Sequence, residues 1–274
     1  MGLTVNTNIA SMNALNNLNG TQRSLSKTLG RVSSGLRVNS AADDAAGLGT
    51  AENLDAAQRS LRVAQRNTSD GISVVQTAEG ATEDVANIIK RMRDLAVQSA
   101  SETLATTERG YIVDEFDALE SEIDRIAAVS DFNGVQLTNG SQSSLDVQVG
   151  IDGTGNDRIQ IDLGDLRASS LGITAVTLSS AAGAQSGLAR LDSALNSVNG
   201  FRSDFGAVQN RLESAMRNLE TYTQNLAQAE SNIRDADFAY EAAELSKFQI
   251  MQQAGVAVLG QANAISQGAL RLIG

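Results

Sequence analysis

The chain of 274 residues has no cysteine, histidine, tryptophan or proline, and only 3% of it is aromatic. Without cysteine there is no disulfide framework, thiolate nucleophile, Zn–Cys site or iron–sulfur cluster. Without histidine there is no His-dependent triad and no H-E-x-x-H metal site. Acid/base chemistry is left to carboxylates and to three lysines, Lys27, Lys90 and Lys247, a poor inventory for an enzyme. Missing proline argues against a loop-rich domain, because proline punctuates turns and helix ends. No run reaches the roughly 18–20 consecutive apolar residues of a membrane-spanning helix. The first ten residues carry neither a basic region nor an apolar core, so no secretory signal peptide is expected. Asn6 stands where an N-myristoylation pattern needs Ser or Thr.

Charge is scarce in particular places. The net charge is −11, which makes nucleic acid an improbable partner. Residues 1–42 hold Arg23, Lys27, Arg31 and Arg37 and no acid, and 245–274 hold only Lys247 and Arg271. All 32 acids therefore lie in 43–244. Residues 1–22 and 248–270 have no charged side chain at all. The two ends resemble each other and differ from the middle.

What is present is mostly heptads. Leu191, Val198, Phe205, Leu212, Leu219, Leu226 and Ile233 recur every seven residues. Ala194, Phe201, Val208, Ala215, Tyr222, Ala229 and Ala236 follow each by three. This is an a/d seam far longer than a coiled coil requires; a helix over 188–236 would run about 73 Å. A second seam crosses 54–96, with Leu54, Leu61, Thr68, Val75, Thr82, Ile89 and Ala96 in one register. Ala57, Ala64, Gly71, Ala78, Val85 and Met92 fill the other. Ile112, Phe116, Leu119, Ile123 and Ile126 mark a shorter helix, with Gly110 and the polar run 99–102 expected to separate it from the second. These stripes must bury one another, giving a bundle. None carries a ligand cluster, so no cofactor or metal is expected in them.

Between the halves the period changes. Leu145, Val147 and Val149, then Ile159, Ile161 and Leu163, alternate with polar residues on either side of Asp152-Gly153-Thr154-Gly155-Asn156. That reads as a β-hairpin over about 144–163. The glycines there are no dinucleotide fingerprint, since Arg158 occupies the third glycine's place. Turn chemistry explains Asp152 and Asp157 better than a Ca²⁺ loop does. Residues 167–187 are rich in Ser, Ala, Gly and Thr and read as a plain surface connection. The expected fold is mainly α: a long antiparallel coiled-coil bundle with one small hairpin and paired N- and C-terminal helices.

The uncharged ends are amphipathic. Leu15, Leu18, Leu25, Leu29, Val32 and Leu36 form a stripe near the start. Met251, Val258, Ile265 and Leu272 form one near the end, flanked by Leu245, Phe248 and Leu259. Their polar faces hold amides and hydroxyls, which can enter an interior without the desolvation cost of charge. Such helices are poorly protected against association. Both ends are therefore expected to be self-assembly elements, disordered or weakly helical alone and ordered by burial against copies of the chain. Identical subunits in head-to-tail, non-closing contact give a helical filament.

Several motifs carry a resemblance. Asn6-Thr7-Asn8-Ile9-Ala10-Ser11, the run Arg31-Val32-Ser33-Ser34-Gly35-Leu36-Arg37-Val38-Asn39-Ser40, Asp43-Asp44-Ala45-Ala46-Gly47 and Gln76-Thr77-Ala78-Glu79-Gly80 stand in the first part. Arg93-Asp94-Leu95-Ala96-Val97-Gln98 and Phe132-Asn133-Gly134 follow. Ile233-Arg234-Asp235-Ala236-Asp237, Gln252-Gln253-Ala254-Gly255 and Gln261-Ala262-Asn263 come last. In this order the chain closely resembles the bacterial flagellins, over roughly 1–140 and 185–274.

The resemblance implies an extracellular filament subunit of the flagellum, with 1–42 and 235–274 as halves of an inner core. It implies 43–180 and 181–234 as the two parts of a surrounding rod. Only about 45 residues separate the conserved halves, implying a subunit without outer domains and a thin, smooth filament. It also implies unfolded export through the flagellar type III apparatus, an export chaperone on about 235–274, and cap and hook-associated proteins as partners. By the same resemblance Arg91, Leu95 and Glu115 would contact an animal Toll-like receptor. A hook–filament junction protein shares the helical terminal pair and is the nearest alternative; a secreted coiled-coil adhesin is a third. Neither catalysis nor membrane insertion is implied.

Overall fold

A computed structural model describes residues 7–271, with side chains to 264. Five helices hold most of the chain: α1 (Ile9–Ser34), α2 (Ala45–Ser99), α3 (Thr106–Val129), α4 (Ala181–Arg234) and α5 (Phe238–Arg271). Two antiparallel strand pairs lie between α3 and α4: β1 (Asp131–Phe132) with β2 (Val135–Gln136), and β3 (Ser144–Gln148) with β4 (Arg158–Asp162). The chain divides into two compact units, Met1–Ala57 with Asn225–Gly274, and Gln58–Gln224. The helical bundle, the hairpin and the paired end helices agree with the sequence pattern. The division falls inside α2 and α4, later in the chain than position 42 and earlier than position 234. Side-chain bonds such as Lys27 Nζ to Asp43 Oδ1 (2.7 Å) and Arg234 Nη1 to Glu52 Oε1 (3.5 Å) tie those helix ends to the first unit.

In the second unit α2 and α4 run antiparallel, as the contacts Gln65–Thr223 and Arg93–Asp192 require. Leu61, Val75, Ile89 and Ala96 of α2 are buried, as are Ala64, Ala78, Val85 and Met92. On α4 Leu191, Val198, Phe205, Leu212 and Leu219 are buried too. Thr68 and Thr82 occupy seam positions without cost because each hydroxyl bonds the carbonyl one turn back, of Ala64 (2.7 Å) and Ala78 (2.6 Å). The seam weakens beyond Leu219: Leu226 and Ile233 are half-buried and Tyr222 is exposed.

Helix α3 contributes Ile112, Phe116, Ile123 and Ala127 to the core between α2 and α4. Gly110 does not separate the helices, as was expected, but lies inside α3. The break is at Ser99, and Glu108 bonds the Ala105 N–H (3.2 Å) to start the new helix.

The hairpin register pairs Leu145 with Ile161 and Val147 with Ile159. Its apolar face covers Val74, Val75, Phe205 and Leu212. Gly71 allows this approach, since a Cβ there would stand 3.0 Å from a Val147 methyl. The β1–β2 turn was not foreseen. Asn133 (φ 51°) and Gly134 (φ 80°) both take the left-handed conformation that a two-residue hairpin needs.

The surface connection expected over 167–187 is a second correction. The segment is not a surface connection. Leu166, Ala168, Ile173, Val176 and Leu178 are buried against α2, α3 and α4, and α4 already begins at Ala181. A few apolar residues among serines and glycines suffice to anchor it. The Ala168 N–H to Asp124 (2.8 Å) and the Ser99 hydroxyl to the Leu178 carbonyl (2.7 Å) hold its ends.

Candidate self-assembly surface

The ends of the chain, expected to be disordered or weakly helical on their own, instead form α1 and α5 within the single chain, and these pack side by side. Local chemistry fixes each terminus of these helices. The Asn8 side chain caps α1 by accepting the Ser11 N–H (3.1 Å), and its amide donates to the Ala262 carbonyl on α5 (3.0 Å). Gly35 closes α1 in the left-handed conformation, its N–H returning to the Arg31 carbonyl. Asp237 caps α5, accepting the N–H groups of Ala239 (2.9 Å) and Tyr240 (3.2 Å).

The links between helices are stapled as well. Arg37 N–H donates to the Arg234 carbonyl (2.7 Å) and Ala236 N–H to the Gly35 carbonyl (2.9 Å), a short antiparallel bridge. The Arg37 guanidinium donates to the carbonyls of Ile233 (2.7 Å) and Asn232 (3.3 Å), satisfying the open C-terminal end of α4. Lys27 beside Asp43 holds that carboxyl down at about 2. Glu241 is buried on α5 and reaches Arg31 of α1 at 3.1 Å. A buried carboxylate with its cation fixes the register of the pair more than it stabilises it.

The apolar stripes split in two. Leu18, Leu25 and Val32 of α1 and Leu245, Phe248 and Leu259 of α5 are half-buried. Leu18 sits against Gly255, where a Cβ would come within 3.1 Å of its methyl. The other members face outward: Leu15 is 48% exposed, Leu29 55%, Met251 45% and Val258 58%. Ile9, Met12, Ile250 and Val256 join them. Ile265 and Leu272 fall outside the described side chains. The one pair of helices cannot cover apolar rows this wide, so each carries a face for the partner helix and a second face bare. Soluble proteins rarely leave contiguous apolar surface open unless something binds it. No charged side chain interrupts the bare rows over 9–22 or 248–264. The class defined by this geometry is a helical protein whose paired end helices carry uncovered apolar residues.

The remaining sequence candidates are placed as follows. Leu191 through Leu219 line the second unit's core, and Leu226 and Ile233 belong to the first unit. Arg91 grips Glu115 through Nε (2.9 Å) and Nη2 (2.6 Å), both side chains exposed. Leu95 does not join them. It is 2% exposed, inside the core of α2, α3 and α4; one turn on from Arg91 along the same side of α2, it falls at the edge of the buried stripe, which Arg91 lies just outside. It is therefore corrected from a surface contact to a core residue. Sequence reading also missed the Arg37 cap; an arginine beside a helix-ending glycine was its signal. Among the described residues no cluster of acidic side chains has metal-binding geometry, and no helix is long and apolar enough to cross a membrane.

Comparison with known proteins gives the family. Residues 5–143 match the bacterial flagellin N-terminal helical region and 188–273 the bacterial flagellin C-terminal helical region. The chain is 40% identical over 271 residues to a flagellin of Halalkalibacterium halodurans, covering 98% of this chain and 99% of the relative. It is 37% identical to a flagellar filament core protein of Brachyspira hyodysenteriae, with the same coverage. Among solved structures, Bacillus cereus flagellin aligns with a TM-score of 0.51 at 32% identity, over 56% of this chain and 88% of that one. The chain belongs to the bacterial flagellin family. Residues 144–187, between the two family regions, are those that fold into β3, β4 and the buried segment before α4.

Proposed function

We propose that the chain is a structural subunit that polymerises into the extracellular filament of a bacterial flagellum and serves swimming motility, without catalysis. The observation that carries this is the bare, charge-free apolar row on α1 and α5 in a chain whose relatives include filament core proteins. Burying that row against other copies would place α1 and α5 at the polymer's interior. With 144–187 as the whole of the middle, the filament would be thin and smooth.

The same reading extends to partners. Export through the flagellar type III apparatus as an unfolded chain suits a protein free of cysteine and proline. An export chaperone would cover about 235–274 and keep the Met251/Val258 row from associating early, and cap and hook-associated proteins would meet the polymer's ends. For an animal Toll-like receptor the exposed Arg91–Glu115 pair is the contact this reading retains; Leu95 contributes only by packing beneath it. The test is to add purified monomer to filament seeds and follow growth by electron microscopy. Elongation is expected. A chain that stays monomeric at every concentration would overturn the proposal.

A further inference from the structure

Two pairs of like-charged residues in the second unit make no ion pair among the described residues. On α2, Arg62 and Arg66 stand one turn apart and exposed. Among the described residues neither Arg62 nor Arg66 has a carboxylate within ion-pair distance, and Asp70, one turn further on, does not close on Arg66. Beside them the exposed Val63 and Ile151 line a shallow groove under the hairpin tip. On α3, seven acids face two bases. Glu115 and Glu122 are taken by Arg91 and Arg125. Glu120 and Asp124, also one turn apart, make no ion pair among the described residues, although Arg167, itself paired with Asp165, lies near enough to Asp124 to feel its charge; Asp117 extends their row. Asp124 accepts only the Ala168 N–H. Partial burial, with Asp117 and Asp124 nearby, pushes the Glu120 carboxyl above its usual range, so this row is crowded with like charge.

The two rows cannot meet in one molecule. The Arg91–Glu115 pair sets the register of α3 against α2. Counting away from it along antiparallel helices puts Glu120 level with Ala86 and Asp124 level with Thr82. Arg66 and Arg62 each lie twenty residues nearer the start of α2, about 30 Å away at 1.5 Å per residue. The offset is the same for both pairs. A second copy standing beside the first, parallel to it and offset about 30 Å along the direction of α2, brings Arg62 level with Asp124 and Arg66 level with Glu120 at once.

We infer that the α2 row Arg62/Arg66 of one copy docks on the α3 row Glu120/Asp124 of a neighbouring copy, as a lateral contact of the polymer. This rests on the filament reading above and adds its register and partner surface. The contact is electrostatic, so it sets alignment and rate of addition more than total affinity, whereas the α1/α5 rows supply the apolar drive.

Full-length variants test it in seeded elongation, with circular dichroism confirming that each variant folds. Reversal of one row (Arg62→Glu with Arg66→Glu) is expected to slow elongation at least tenfold, and so is reversal of the other (Glu120→Lys with Asp124→Lys). The fourfold variant is expected to recover most of the rate. Because the chain has no cysteine, a mixture of Arg62→Cys and Asp124→Cys chains, polymerised and mildly oxidised, should give a crosslinked dimer that either variant alone does not. Unchanged elongation after reversal, no recovery in the fourfold variant, or no crosslink in polymer that has formed would each overturn the contact while leaving the filament reading intact. Wild-type chain that never elongates would sink both.

Discussion

Replacing Met251 and Val258 together with glutamine isolates the apolar drive for assembly. Glutamine is a good helix former and matches the uncharged polar surroundings of α5, so the helix itself should persist. In the single chain Met251 is 45% exposed and Val258 58%. Complete burial of such side chains contributes roughly 1.5–3 kcal/mol each. Scaling by the exposed fraction leaves about 0.7–1.4 kcal/mol for Met251 and about 0.9–1.7 for Val258 to be gained only in the polymer. Together that is about 2–3 kcal/mol per subunit, and each 1.4 kcal/mol is a factor of ten in an equilibrium constant. The monomer concentration left in equilibrium with filament, measured by sedimentation, should rise by about 10- to 100-fold. The thermal melt of the monomer should hardly move. An unchanged equilibrium concentration would refute the assignment of this row to a subunit interface, and an unfolded monomer would show that the row belongs to the chain's own core.

Other expectations follow from particular contacts. Arg37→Ala strips the cap from the Asn232 and Ile233 carbonyls and should lower the stability of the first unit by on the order of 1 kcal/mol, read as faster amide exchange at the end of α4. Phe116→Ala opens the core between α2, α3 and α4 and should cost about 3–5 kcal/mol in a denaturant titration. Glu120 has a folded-state carboxyl raised by burial and by Asp117 and Asp124, so the folded chain holds its proton more tightly than the unfolded chain and this group's contribution to stability falls as pH rises. Glu120→Gln should therefore leave the monomer as stable or more stable at neutral pH while weakening seeded elongation. Asp43 behaves oppositely: its carboxyl is depressed to about 2, and the stability it lends, present above pH 4, should be lost in acid titrations between about pH 4 and 2.

Much of this was visible in the residue pattern because helices write themselves at regular intervals. The registers through Leu61–Ala96 and Leu191–Leu219 became cores almost position by position, and even Thr68 and Thr82 kept their places by bonding their own helix. What failed to show was information carried by single residues or by distance. Two glycine- and serine-rich stretches were misread from opposite sides: Gly110 was tolerated inside α3, and the diluted apolar residues Ala168, Ile173, Val176 and Leu178 found a shared core that composition averages away. For the site, the stripes of α1 and α5 were legible, but not which member faces the partner helix and which faces out. That depends on how two helices rotate against each other, set here by Arg31–Glu241 and by Leu18 on Gly255. Leu95 was misplaced because the edge of the buried stripe runs between Arg91 and Leu95, one turn apart on the same side of α2, and a motif does not mark that edge.

The most direct measurement is an image of the assembled polymer at side-chain resolution. The account predicts that Leu15, Leu29, Met251 and Val258 lie against other copies of the chain. Finding those four side chains bathed in solvent along the polymer's axis would contradict it.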